Sequence, residues 1–147
     1  MTAGPAARAR ILGVDLGSRR IGLALSDPLG VTASPLRVLE RAARHELDHR
    51  AIVAAARDAE ADRIVVGLPR ALSGRVGPAE RATLREVDEL RTVAGSELVV
   101  ETYDERFTTV IAQRSLIDAK VRRKDRREVV DKVAAAVMLQ GYLEANP

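Results

Sequence analysis

Acidic residues stand in three segments where acids are costly. Asp15 sits in the middle of the apolar run ILGVDLG, Asp104 and Glu105 close the run LVVETYDER, and Asp131 lies in VVDKVAAAVML. Burying an unpaired carboxylate costs several kcal/mol or more, so each needs compensation. Clustered carboxylates repel one another. A divalent cation relieves that repulsion and becomes a Lewis acid suited to phosphoryl chemistry. Taken singly, each has an ordinary explanation: Asp15 bonded to turn amides, or Asp131 as the dipole partner of a helix start. Spacing alone leaves their convergence open.

The elements that must position these residues are legible from periodicity. Strands are expected at 10–16 and 21–26, joined by the tight turn Gly17-Ser18-Arg19-Arg20 into an antiparallel hairpin. Alternation places Leu12, Val14 and Leu16 on one face, and Gly13, Asp15 and Gly17 on the other. The second strand repeats this asymmetry, with Ile21, Leu23 and Leu25 set against Gly22, Ala24 and Ser26. Small side chains beside Asp15 leave space for a ligand. A third strand is expected near 31–39, interrupted by Pro35. A helix follows over 45–60, with Leu47, Ala51, Ile52, Ala55 and Ala59 at helical spacing. ADRIVVGLP reads as a buried parallel strand stopped by Pro69, and ALSGRVGP as a loop broken by Gly74, Gly77 and Pro78.

Further along, residues 79–94 form a helix with Leu84, Val87, Leu90 and Ala94 on one stripe, and ELVVETYD is the next strand. A helix is expected from Thr108 or Thr109 to Ala119, with a hydroxyl cap available. A last helix over 126–145 is built on Val130, Val133, Ala134, Val137 and Gly141. This β-β-β-α-β-α-β-α-α order implies an α/β fold: a mixed sheet that begins as an antiparallel meander and continues with parallel strands.

Composition narrows the class. The 147 residues are 46% apolar and 31% charged, as expected of one folded domain over 10–147. Without cysteine, neither a disulfide framework nor a thiolate metal site is available. No run approaches the roughly 18 apolar residues of a membrane span. The start MTAGPAARAR lacks a signal-peptide core, so residues 1–9 read as a short flexible tail and a cytoplasmic location is the expectation. Net charge is +3, yet KVRRKDRR over 120–127 holds six basic residues and one acidic. Such a block is either a solvated loop or a phosphate-backbone contact. The only aromatics are Tyr103, Phe107 and Tyr142, too few to stack splayed single-stranded bases, so a nucleic acid would be read through backbone and shape.

Four blocks, GVDLGSRRIGLALSD, GLPRALSGRVGP, DERFTT and VDKVAAAVMLQGYL, occur in this order and span about residues 10–143. They resemble the signature blocks of the YqgF/RuvX family, RuvC-like nucleases of the ribonuclease H superfamily whose members carry the names Holliday junction resolvase or pre-16S rRNA nuclease. The resemblance implies a ribonuclease H-like five-stranded sheet with helices on both faces. It implies that Asp15 is the central metal ligand, that Glu105 is the second acid with Asp104 as its alternative, and that Asp131 is the third. The implied reaction is phosphodiester hydrolysis by a metal-activated water, with two Mg²⁺ or Mn²⁺ ions holding the attacking and leaving oxygens. Ser18, Arg19, Arg20, Arg75 and Arg106, the amides around Gly74 to Gly77, and Arg122, Arg123 and Lys124 of the basic block are the expected nucleic-acid contacts. Processing the 5′ region of precursor 16S rRNA on the pre-30S ribosomal subunit is the first expectation for substrate. Cleavage of four-way DNA junctions is the second, and it calls for a two-fold homodimer.

Other readings compete. HELDH over 45–49 matches the zinc-protease pattern HExxH, with His45 and His49 as ligands and Glu46 as base. These are the only histidines, no substrate-cleft segment is evident, and Arg41, Arg44 and Arg50 flank the motif as on an exposed helix start. The opening hairpin also resembles the phosphate-binding turn of actin- and hexokinase-like ATPases, which need two such domains. A non-catalytic ribosome-assembly factor that binds nucleic acid is the remaining class.

Overall fold

Alternation of large apolar and small residues makes the first two strands two-faced, and helices pack on both faces of the sheet they begin. The computed structural model describes residues 10–71, 73–107 and 126–147, with the side chains of Phe107 and of 126–131 outside the description. The expected tail over 1–9, the helix from Thr108 or Thr109 to Ala119, and the basic block through Lys124 lie outside the described residues. Strands β1 (Arg10–Leu16), β2 (Arg20–Ser26) and β3 (Ala33–Glu40) precede helix α1 (His45–Asp58), and β4 (Ala61–Leu68) precedes α2 (Pro78–Ala94). Then come β5 (Val99–Asp104), a 3₁₀ turn over Glu105–Phe107, and helix α3 (Arg126–Ala145).

The sheet order is β3-β2-β1-β4-β5, with β1–β2 and β2–β3 antiparallel and β1–β4 and β4–β5 parallel. The expected meander and parallel half are both present. Pro35 does not interrupt β3: it pairs with Ala24 beside a register shift between Leu23 and Ala24, and on this edge strand its missing donor costs the sheet no ladder bond.

One face of the sheet presents Leu12, Val14, Ile21, Leu23, Ile64 and Val66 to α1 and α2, where Ile52, Ala56, Val87 and Leu90 complete a core. Each such side chain contributes about 1.5–3 kcal/mol when fully buried. The other face packs Ala24 and Val65 against Ala134, Ala135, Met138 and Leu139 of α3. That contact is close because the sheet carries glycine beneath the helix. A Cβ on Gly13 would stand 2.9 Å from the Leu139 Cβ and 3.4 Å from the Ala135 carbonyl oxygen. Polar ties fix the helix further on. Gln140 accepts from the Ala33 amide at 2.9 Å and donates to the Val31 carbonyl at 3.0 Å. Tyr142 donates to Glu101 at 2.8 Å, and Glu101 pairs with Arg63.

The helices are rotated from the faces their apolar spacing suggests. In α1, Leu47 is 43% exposed while Asp48 and His49 are buried with Ile52, Val53, Ala55 and Ala56. In α2, Leu84 is on the exposed side, and Glu80, Thr83 and Glu86 are buried beside Val87 and Leu90. In α3 the buried stripe runs through Ala135, Met138, Leu139 and Tyr142, whereas Val133 and Val137 are only half-buried. For α1 and α2 the cause is one polar network. Arg41 donates from Nη1 and Nη2 to Glu86 at 2.5 and 2.9 Å and from Nη1 to Asp48 at 3.2 Å, and His49 Nε2 lies 2.9 Å from Glu86 Oε2. Buried charges that satisfy one another this fully take positions that periodicity assigns to hydrocarbon.

Candidate functional site

The parallel strands β1, β4 and β5 end at one edge of the sheet, the edge where open α/β sheets bind ligands. Asp15 is the penultimate residue of β1, paired across β2 with Gly22 and only 8% exposed. Val14 pairs with Val66 of β4, so the next residues, Asp15 and Gly67, stand side by side at the strand spacing of about 4.8 Å. A Cβ on Gly67 would lie 2.5 Å from Glu105 Oε1 and 3.2 Å from Met138 Cγ of α3. The Glu105 carboxylate therefore occupies the space above Gly67, on the α3 face, next to the strand position of Asp15. Glycine at 67 is what leaves room for it.

Helix α3 runs antiparallel to β1, since Leu139 and Ala135 lie over Gly13, while Tyr142 and Leu143 lie by Ile11. Position 131 is one turn before Ala135, a rise of about 6 Å. Asp15 is two strand residues beyond Gly13, about 6.6 Å. The helix backbone thus brings position 131 to the level of Asp15. Asp15 and Glu105 thus share the α3 face at the end of the parallel strands, with position 131 at a similar level along the strand direction.

Asp104, the alternative second acid, is engaged elsewhere. Its carboxylate accepts from the Arg106 amide at 2.9 Å, from Arg106 Nε at 3.0 and 3.2 Å, from Arg106 Nη2 at 2.8 Å and from Arg70 Nη1 at 3.3 Å. Burial works to raise its pKa, but the Arg106 hydrogen bonds, with the Arg106 and Arg70 charges, outweigh burial and hold the carboxyl below the usual range. Arg106, expected as a phosphate contact, is the main partner of Asp104. Its Nη1 also lies 3.7 Å from where a Cβ on Gly74 would stand. It joins the end of β5 to the loop before α2.

The remaining expected contacts surround this edge. Ser18 and Arg19 are exposed and Arg20 is half-buried in the β1–β2 turn. That turn requires Gly17, whose amide donates to the Arg20 carbonyl at 3.0 Å and whose Cβ would stand 2.5 Å from the same oxygen. Arg75 is exposed in the loop before α2. Arg122, Arg123 and Lys124 lie outside the described residues.

Sequence reasoning missed Arg41. Its Nε donates to the Gly17 carbonyl at 2.9 Å and its amide to the Arg19 carbonyl at 2.9 Å. The buried network of α1 and α2 is thereby anchored to the turn beside Asp15. Burial works to raise the Glu86 pKa, but the Arg41 and His49 hydrogen bonds and the Arg41 charge outweigh it and hold the carboxyl below its usual value. A usable signal was present: Asp48 and His49 precede Ile52 at helical spacing, so buried partners for them were to be sought.

A family model described as RuvX: Holliday junction resolvase matches residues 9–145. The chain belongs to the RuvX family. As a RuvX chain it is 44% identical over 137 residues to "Putative pre-16S rRNA nuclease" of Desulforudis audaxviator, covering 93% of this chain and 95% of the relative. It is 47% identical to the protein of the same name from Symbiobacterium thermophilum, covering 93% of each. The fold of Thermus thermophilus RuvC, solved with a Holliday junction substrate, superposes with a TM-score of 0.56 at 14% identity, over 94% of this chain and 96% of that one. At that identity the likeness establishes the shared ribonuclease H-like fold. The RuvX chain is accordingly a nuclease, a hydrolase of phosphodiester bonds. Among the described residues, no helix is long and apolar enough to cross a membrane.

Proposed function

We propose that this RuvX chain is an endonuclease that uses Asp15, Glu105 and Asp131 as ligands for Mg²⁺ or Mn²⁺ and acts on structured RNA, namely the 5′ region of precursor 16S rRNA. The observation that carries the reading is the Glu105 carboxylate seated over Gly67, beside the strand position of Asp15 and under the helix that contains position 131. An all-oxygen, carboxylate-rich donor set suits hard divalent cations. Such an ion supplies Lewis-acid stabilisation of the charge that develops on the scissile phosphate. The chain's own residues do the rest. Arg41 holds the β1–β2 turn so that Ser18, Arg19 and Arg20 meet the phosphate backbone next to Asp15. Arg106, fixed by Asp104, sets the loop carrying Arg75 on the other side. The pre-16S assignment rests on the names of relatives at 44% and 47% identity, and the pre-30S subunit is the setting it implies.

The family description favours a second reading, cleavage of four-way DNA junctions by a homodimer that places two symmetric cuts. One experiment addresses both. Labelled precursor 16S rRNA 5′ fragments and a synthetic four-way junction are incubated with wild type and Asp15→Asn in Mg²⁺ or Mn²⁺. The proposal expects RNA cleavage by wild type only, with Asp15→Asn folded and inactive. Intact RNA alongside a cut junction favours the second reading. If neither substrate is cut, or if Asp15→Asn cuts as well as wild type, the carboxylate centre is wrong.

A further inference from the structure

The α1–α2 layer, on the sheet face opposite α3, carries a second set of potential metal ligands. His45 and His49 are one turn apart on α1, and one ligand atom from each lies within 4.8 Å of the others and of a Glu89 carboxylate oxygen on α2. His45 Nδ1 stands 4.0 Å from Glu89 Oε2. The imidazoles are 6.0 Å apart, centroid to centroid.

The decisive feature is the ring of His49, which is only 1% exposed. Its Nε2 lies 2.9 Å from Glu86 Oε2, and the Glu86 carboxylate takes both terminal nitrogens of Arg41. A carboxylate locked to a guanidinium is ionised and can only accept. Nε2 of His49 therefore carries the proton, and in the neutral ring the lone pair is on Nδ1. A carboxylate behind an imidazole that fixes tautomer and ring angle is the outer-shell arrangement of metal-ligating histidines. His45 and Glu89 are 60% and 59% exposed, so an ion has a route in and the two side chains have freedom to close. Tetrahedral ligands at about 2.0–2.1 Å from a metal stand about 3.4 Å apart, so the closure needed is about 1.4 Å or less.

We propose that His45, His49 and Glu89 bind a borderline divalent transition-metal ion, Zn²⁺ being the reference case, at a site separate from the carboxylate centre. Two nitrogens and one oxygen select such an ion over Mg²⁺. The site is not that of an HExxH protease. Glu46, the base in that pattern, is half exposed and paired with Arg50 at 2.6 Å, and the third ligand comes from a different helix. An ion here ties α1 to α2 directly above the Glu86–Arg41–Gly17 connection to the β1–β2 turn.

The test is calorimetric titration of Zn²⁺ into the full chain in excess Mg²⁺, and it requires no nuclease activity. Wild type and Asp15→Asn should each bind one equivalent. His45→Ala and Glu89→Gln, both at exposed positions, should each weaken that binding more than tenfold without altering the melting temperature of the metal-free protein. Co²⁺ should give a visible d–d band in wild type that His45→Ala abolishes. The proposal is overturned if Zn²⁺ does not bind in excess Mg²⁺, if both α1–α2 variants bind it as wild type does, or if only Asp15→Asn loses it.

Discussion

Replacing Gly67 by alanine moves the Glu105 carboxylate without deleting it. The new Cβ would stand 2.5 Å from Glu105 Oε1, whereas ordinary contact begins at 3.4 Å, so the oxygen must retreat by about 0.9 Å. Met138 Cγ, at 3.2 Å, needs to yield only about 0.2 Å. Both are parts of flexible side chains, so the fold absorbs the change near the low end of the roughly 1–3 kcal/mol typical of overpacking. A melting temperature lower by a few degrees is the expected signature. The chemistry is less forgiving, because a catalytic constellation tolerates displacements of about 0.5 Å, and a misplacement of about 1 Å costs on the order of 10²-fold in rate. Single-turnover cleavage measured across an Mg²⁺ titration, alongside thermal melts, separates the two effects. Gly67→Ala should fold, require more Mg²⁺, and cleave about a hundredfold more slowly at saturation. A variant that melts slightly lower yet cleaves within about threefold of wild type places Glu105 outside the reacting centre.

Two further outcomes probe the support behind the site. Arg41→Met removes the bond to the Gly17 carbonyl and leaves the buried Glu86 and Asp48 without their guanidinium, so denaturant melts should show a loss of about 3–5 kcal/mol. Arg41→Lys should recover part of it, and a loss below about 1 kcal/mol for Arg41→Met contradicts the network. Glu86 has a folded-state pKa below its ordinary 4.5, so its contribution is fully present above that value and disappears as pH falls through the lower, folded-state pKa. Glu86→Gln should therefore be about 1.5–3 kcal/mol less stable than wild type near neutrality, with the gap closing only below pH 4.5. A gap that is constant from neutrality to strong acid refutes the assignment.

Most of the fold was legible because periodicity and breakers agree locally. The small-residue face of the hairpin, the continuous apolar run of β4 and the punctuation by Pro69, Gly77 and Pro78 all anticipated the observed order and pairing. The buried faces of α1 and α2 were harder. Leu47 and Leu84 looked like core residues, yet Asp48, His49 and Glu86 take the inward positions and leave the leucines exposed, because Arg41 satisfies charges that a hydrophobicity pattern treats as surface. Arg41 itself lies in the connection between β3 and α1, where sequence gives no hint of a partner 45 residues away. At the site, strand parity placed Asp15 on the small-residue face, but over Gly13 and Ala24 the room left by those small residues is taken by α3 rather than by a ligand. Asp104 and Glu105 differ in direction because the strand ends at Asp104 and the chain turns at Glu105, a one-residue matter that alternation does not resolve.

The register shift and Pro35 in β3 bear on how the molecule behaves among its own copies. An edge strand with an uninterrupted row of amide donors is a template on which another chain can extend the sheet. Here the outermost strand lacks a donor at Pro35, is bent by the neighbouring irregularity, and carries the exposed Arg37 between them and its end. Sheet-to-sheet growth from this side is blocked by the same backbone that completes the hairpin meander. A second copy therefore finds no continuous ladder on the β3 edge, and Pro35→Val, which restores the donor, should raise self-association in concentrated solution.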